Sequence, residues 1–264
     1  MPHGRSGYDR SMLRRLDPRA DGRGLTSRLA LGALAAVVVA VPFTLLMLLV
    51  LSEWEPLERL DRDVADGLYD VAVGRPLLVD TLQVLSVVTS PWYFRLAVVA
   101  VSVWLWRRGA RRLAAWAVVT AAVGGTLGVL LKQVVERSRP SFPEPVFTAG
   151  GYSFPSGHAL NSMLCTGILL LVFLPVLRSK ASRLVAYAVA VLLVLITGLD
   201  RIALGVHFVS DVVAGWVAAL ATLAGTAVAF EVWRRERGEQ PSTVAEGVDP
   251  DAGPAMSDPP AARE

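Results

Sequence analysis

Two histidines, one aspartate and a group of cations carry the chemistry open to this sequence. His158 follows Phe154-Pro155-Ser156-Gly157 and stands at the front of a long apolar run. A proline tolerates the first turn of a helix and a serine can cap it, so this stretch predicts a helix N-terminus. Gly157 would let a ligand approach the backbone closely. The free N–H groups and positive dipole end of such a helix suit a phosphate, and His158 would stand beside it. His207 and Asp211 are four residues apart, which places them on one face of a helix. An aspartate at that distance can accept from one ring nitrogen, fix the tautomer and leave the other nitrogen as a nucleophile. Lys132, Arg137, Arg139-Pro140 and Arg201 complete the set.

Each of these residues also has a plainer reading. Lys132 could snorkel from a helix end, Arg139 could be a solvated loop charge, and Arg201 could pair with Asp200 or Glu136. His207 and Asp211 could be a structural polar pair. Their joint occurrence at one side of a membrane is harder to explain that way, because ionisable residues within membrane segments default to a functional reading. Two histidines and an aspartate could in principle bind zinc, but the neighbouring cations repel it and no further Cys, His or Glu stands at ligand spacing. Guanidinium groups bind phosphate oxygens in a fork. The expectation is metal-free phosphoryl transfer with no cofactor, in which Lys and Arg neutralise the phosphate charge.

The elements that must position these groups are membrane helices. Of 264 residues 53% are hydrophobic, and the mean hydropathy is +0.49. Several runs approach the 20 or so apolar residues that span a bilayer. Helix 1 is expected from Leu29 to about Leu51, and an acidic external segment over 52–80 follows, with Leu57, Leu60, Val64 and Leu68 spaced like a helix lying on a surface. Leu77 to Val88 reads as a second amphipathic or re-entrant piece. Helices 2 to 5 are expected over about Val88–Trp106, Leu113–Leu131, His158–Val176 and Leu184–Leu199, and helix 6 ends near Phe230. Gly124 and Gly128 in helix 3 allow close packing, and Asp200-Arg201 reads as a polar turn before helix 6. Cys165 lies inside an apolar run and reads as a packing residue.

Basic clusters precede helix 1, separate helices 2 and 3 and helices 4 and 5, and follow helix 6. By the positive-inside rule this gives six spans with both termini cytoplasmic and three polar clusters outside, the first Lys132, Arg137 and Arg139-Pro140, the second Ser156-Gly157-His158 and the third Arg201, His207 and Asp211. Trp54 and Trp92 would sit at the outer interface, and Trp104, Trp106, Trp116 and Trp233 at the inner one. The basic residues sit at the ends of apolar runs, so they indicate cytoplasmic loops and not nucleic acid. The organisation expected is a basic cytoplasmic segment over 1–27, a membrane domain over 28–232 and a disordered cytoplasmic tail over 233–264.

Lys132-x6-Arg139-Pro140, Pro155-Ser156-Gly157-His158 and Arg201-x5-His207-x3-Asp211 resemble the three signature motifs of the type 2 phosphatidic acid phosphatase (PAP2) family. The motifs span residues 132–211, and the six-span layout extends the likeness to about 28–232. The third motif usually opens Ser-Arg; here it is Asp200-Arg201, and the anion is expected to orient Arg201 and not to touch phosphate. The resemblance implies an all-α membrane bundle of six helices with an acid phosphatase–haloperoxidase-like core. It implies that His207 attacks phosphorus, that Asp211 holds and activates it, and that His158 protonates the leaving oxygen and then activates water. Lys132, Arg139, Ser156, the Gly157 backbone and Arg201 would bind the phosphate oxygens. The substrate implied is a lipid phosphate or diphosphate, with undecaprenyl diphosphate, phosphatidic acid and phosphatidylglycerol phosphate as the classes and undecaprenyl diphosphate the first to test. A lipid phosphotransferase using the same intermediate, a vanadium-dependent haloperoxidase and a non-catalytic lipid-phosphate binding or transport protein are the competing readings. The six spans argue against the haloperoxidase. Membrane lipids are the expected surroundings, and the oligomeric state is open.

Overall fold

The computed structural model describes residues 37–236, with side chains through residue 230. The N-terminal segment, the first part of helix 1 and the tail from residue 237 lie outside the described residues, and Trp233, Arg234 and Arg235 fall in the stretch described by backbone alone. Among the described residues eight α-helices follow one another: α1 (Val37–Leu51), α2 (Glu55–Ala72), α3 (Pro76–Val88), α4 (Pro91–Arg107), α5 (Arg111–Val135), α6 (Gly157–Phe173), α7 (Lys180–Ala203) and α8 (Val209–Glu236). Among the described residues five stretches are long and apolar enough to cross a membrane, and six if α1 and α2 count as one broken span. The all-α membrane bundle expected from the sequence is therefore the fold observed.

The bundle is arranged about α6, which packs against α4, α5, α7 and α8. Its buried face carries Leu160, Leu164, Cys165, Ile168 and Val172, and these form the main core with Val98, Leu105, Ala117, Ala219 and Leu223. The small residues do what their spacing implies. A Cβ on Gly124 would stand 2.3 Å from Leu164 Cδ2, and one on Gly128 would stand 3.2 Å from Leu160 Cδ1, so α5 lies against α6 at a distance only glycine permits. A Cβ on Gly215 would lie 2.8 Å from the Ser156 carbonyl oxygen. That close approach brings the start of α8 onto the start of α6.

Several boundaries depart from expectation. α1 turns into α2 through 88°, so α2 does leave the direction of the preceding helix as a surface helix would. Its buried residues, however, are Asp61, Ala65 and Ala72, whereas Leu60 is 52% exposed. The expected second helix and the piece before it make one stretch, Pro76–Arg107, interrupted only at Thr89-Ser90. Pro91 starts α4 instead of breaking a helix, because a proline at the first position lacks only a hydrogen that would be unpaired there. Asp200 and Arg201 lie in the last turn of α7 and not in a polar turn. His207 precedes α8, so only Asp211 is on a helix. Trp116, expected at an interface, is 5% exposed inside the main core.

Candidate active site

The Ser156 side chain caps α6 by accepting from the Ala159 N–H at 3.4 Å, and Gly157 is the first helical residue. This is the N-terminus the sequence predicts, and it leaves the early N–H groups of α6 without helical acceptors. A Cβ on Gly157 would meet nothing within 4 Å, so there is room over its backbone. The Ser156 N–H donates to the Asp211 carbonyl at 2.9 Å. The two helix starts are thereby tied together, and Ser156, His207 and Asp211 are buried where they meet.

His207 and Asp211 pair as the spacing implies, although the turn Gly205–Phe208, not helical periodicity, brings them together. His207 Nδ1 lies 3.3 Å from Asp211 Oδ2. Its Nε2 lies 3.1 Å from Arg139 Nη1. A guanidinium can only donate, so Nε2 is the unprotonated nitrogen and the ring proton sits on Nδ1, facing the carboxylate. Burial pushes the His207 pKa down to about 4 against the upward pull of Asp211, and the charges of Arg139 and Lys132 lower it further. The ring is thus neutral, with its lone pair turned toward the cations.

Those cations are held by main-chain oxygens. Arg139 donates to the carbonyls of Gly150, Gly151, Tyr152 and Val206, and Lys132 donates to those of Tyr152 and Ser153. Burial and the Arg201 charge lower the Arg139 pKa, with Asp211 opposing. Arg201, 2% exposed, forks onto Asp200 through Nε and Nη2, and Phe147 covers its guanidinium at 5.7 Å. The pairing with Asp200 is one of the two plainer readings of Arg201. His158 is half-buried, hydrogen-bonds the Ser86 backbone and lies within electrostatic range of Arg201, His207 and Arg139. The structure therefore brings Lys132, Arg139, Ser156, Gly157, His158, Arg201, His207 and Asp211 to one end of the bundle.

It also brings residues that the sequence reading left out of the site. Arg137 was grouped with the first cluster but given no role. Its Nη1 donates to Asp211 Oδ1 at 2.7 Å and to Ser210 Oγ at 2.6 Å, and its Nη2 donates to Asp61 Oδ2 at 2.9 Å. Burial works against its charge, but Asp211 and Asp61 outweigh that and hold its pKa above the ordinary value. Asp61 is one of the acids of the external segment over 52–80, and the amphipathic register of α2, with Val64 and Leu68 inward, is the available signal for it. Arg95 on α4 donates to Asn161 Oδ1 at 2.8 Å, one turn below His158, which gives this charge in an apolar helix its partner. A cavity of about 370 Å³ is lined by Arg137, Arg139, Asp61 and Phe208, among others.

The sequence profile of the PAP2 superfamily matches residues 113–235. The chain carries a PAP2 superfamily domain. Over 93 residues the chain is 39% identical to phosphatidylglycerophosphatase B of Bacillus subtilis (strain 168), covering 34% of this chain and 44% of that protein. A 110-residue stretch is 36% identical to decaprenylphosphoryl-5-phosphoribose phosphatase of Mycobacterium tuberculosis (strain H37Rv), covering 40% of this chain and 55% of that protein. The chain thus spans about half the length of these two relatives. The crystal structure of a transmembrane PAP2-type phosphatidylglycerolphosphate phosphatase from Bacillus subtilis superposes with a TM-score of 0.63 at 22% identity, over 78% of this chain and 98% of that one. The PAP2 domain shares that transmembrane fold, and the protein is an integral membrane protein.

Proposed function

We propose that this protein hydrolyses a lipid phosphate through a phosphohistidine on His207. The observation that carries the reading is the line Arg139–His207–Asp211, with the unprotonated Nε2 aimed at the cations and Nδ1 at a buried carboxylate. A phosphate entering between Arg139 and the ring meets that lone pair. In the first step Nε2 bonds to phosphorus, the phosphorus–oxygen bond to the lipid breaks, and His158 gives its proton to the departing oxygen. In the second step His158 takes a proton from water, the hydroxide bonds to phosphorus, and the phosphorus–nitrogen bond breaks to release inorganic phosphate. Lys132, Arg139, Arg201, the Ser156 side chain and the Gly157 N–H hold the oxygens as charge moves onto them. The two named relatives are both phosphatases of lipid-linked phosphates, which supports the substrate class. The alternation of basic loops supports a site on the outer face.

Purified protein is to be assayed for phosphate release from phosphatidylglycerol phosphate, phosphatidic acid, decaprenylphosphoryl-5-phosphoribose and undecaprenyl diphosphate. Turnover of at least one is expected, unchanged in EDTA because cations of the protein do the neutralising. His207→Ala should lose at least about a thousandfold in kcat, and an acid-labile phosphoprotein should be trapped in the wild type but not in the variant. Full activity in His207→Ala would sink the reading. Transfer of the phosphoryl group to added lipid alcohol, with no free phosphate, would favour the phosphotransferase.

A further inference from the structure

Asp61 lies outside the matched PAP2 segment, on a helix that seemed only to rest on a surface, yet it is 0% exposed. Its Oδ1 accepts from the Ser210 N–H at 2.9 Å, while its Oδ2 accepts from the Ser210 hydroxyl and from Arg137. Arg137 spends one edge of its fork on Asp61 and the other on Asp211 Oδ1. The remaining oxygen of Asp211 accepts from the Phe208 N–H at 2.9 Å and faces His207 Nδ1. The Phe208 ring lies 4.4 Å from the Arg137 guanidinium carbon and covers the pair. The Asp211 carboxylate is therefore held on both sides. One oxygen is fixed by a cation, which is itself fixed from α2, and the other is shared by the Phe208 N–H and the imidazole.

Resting on the phosphatase reading above, we propose that Asp61 and Arg137 are positioning residues for the nucleophile: α2 aims Arg137, and Arg137 sets the plane of the Asp211 carboxylate that orients His207. The physical reason is geometric. A carboxylate anchored at a single oxygen can rotate about its own bond, and the imidazole then loses the acceptor that keeps its proton on Nδ1. A planar fork gripping two carboxylates removes that freedom in a way a point charge cannot. Their polar groups are spent on Asp211, Ser210 and one another. Their loss should slow the chemical step without weakening substrate binding.

The test uses the full-length protein in detergent and the best substrate of the panel. Asp61→Asn keeps the volume and an acceptor for the Ser210 N–H but removes the charge that aims Arg137. Arg137→Lys keeps a cation that can reach one carboxylate but not both. Each is expected to lower kcat about 10- to 100-fold, less than the loss on changing the aspartate of a catalytic triad directly. KM and competitive inhibition by inorganic phosphate should stay within about threefold. Thermal unfolding gives the folded fraction, and kcat is expressed per folded molecule. For Arg137→Ala, millimolar guanidinium should restore part of the lost kcat. Wild-type kcat per folded molecule in both single variants would overturn the proposal, as would a raised KM and weaker phosphate inhibition with kcat intact. Activity surviving in His207→Ala, run alongside, would instead overturn the phosphatase reading, so the two failures are distinct.

Discussion

His207 determines how the site should respond to acid. Its pKa is lowered by burial to about 4, below the ordinary histidine value of about 6.5. Between those values the unfolded chain takes up a proton that the folded chain does not, so the contribution to stability is whole above about pH 6.5 and is lost as pH falls toward 4. The imidazole proposed as the nucleophile stays neutral over the same range. The acid limb of kcat/KM is therefore expected below pH 6, and a limb at or above 6.5 would contradict the arrangement. Asp200 makes a second expectation. Its carboxylate occupies two N–H groups of Arg201 with one oxygen, and its Oδ1 has no hydrogen-bond partner among the described residues. An anion so close to the cations proposed to hold phosphate weakens their pull on it. Asp200→Ser frees the fork, and inhibition by inorganic phosphate should tighten by roughly three- to tenfold, an order-of-magnitude value for one partly screened charge. Looser inhibition would mean that Asp200 is needed to aim Arg201.

At the scale of elements, the site exists because two helix starts touch. The Ser156 N–H bonds to the Asp211 carbonyl, and Gly215 lets the backbones approach to where a Cβ would clash with the Ser156 oxygen. Gly215→Ala should push α8 from α6 and cost roughly 1–3 kcal/mol, the usual range for overpacking, with a fall in kcat. Gly225→Ala, in the same helix with nothing within 4 Å of the added atom, should leave thermal stability and kcat unchanged. The motif residues were legible because charge in an apolar sequence is conspicuous and because Ser156 and Gly157 mark a helix start. Asp61 was not, since an aspartate among seven other acids in 52–80 looks solvated until the fold turns it inward. Nor was the geometry of His207. A spacing of four reads as a helix, whereas the chain makes the same meeting with a turn that runs into α8.

For the whole molecule, the charge alternation predicts an orientation that can be measured. The native Cys165 is buried, so it should contribute little background to thiol labelling. Ser141→Cys, in the loop joining α5 to α6, should react with a membrane-impermeant maleimide in intact cells. Ser179→Cys, in the loop joining α6 to α7, should react only after permeabilisation; both native serines are exposed. The reverse pattern would place the site inside. The tie between Asp61 and Arg137 also bears on how this protein can be cut and recombined. Sequence likeness draws the PAP2 boundary at residue 113, but charge balance draws it earlier, because Arg137 shares its fork between Asp211 inside that boundary and Asp61 outside it. Any chimera that transplants residues 113–235 onto another N-terminal half inherits a largely buried guanidinium and must supply a carboxylate facing it. The transplantable unit therefore begins no later than α2.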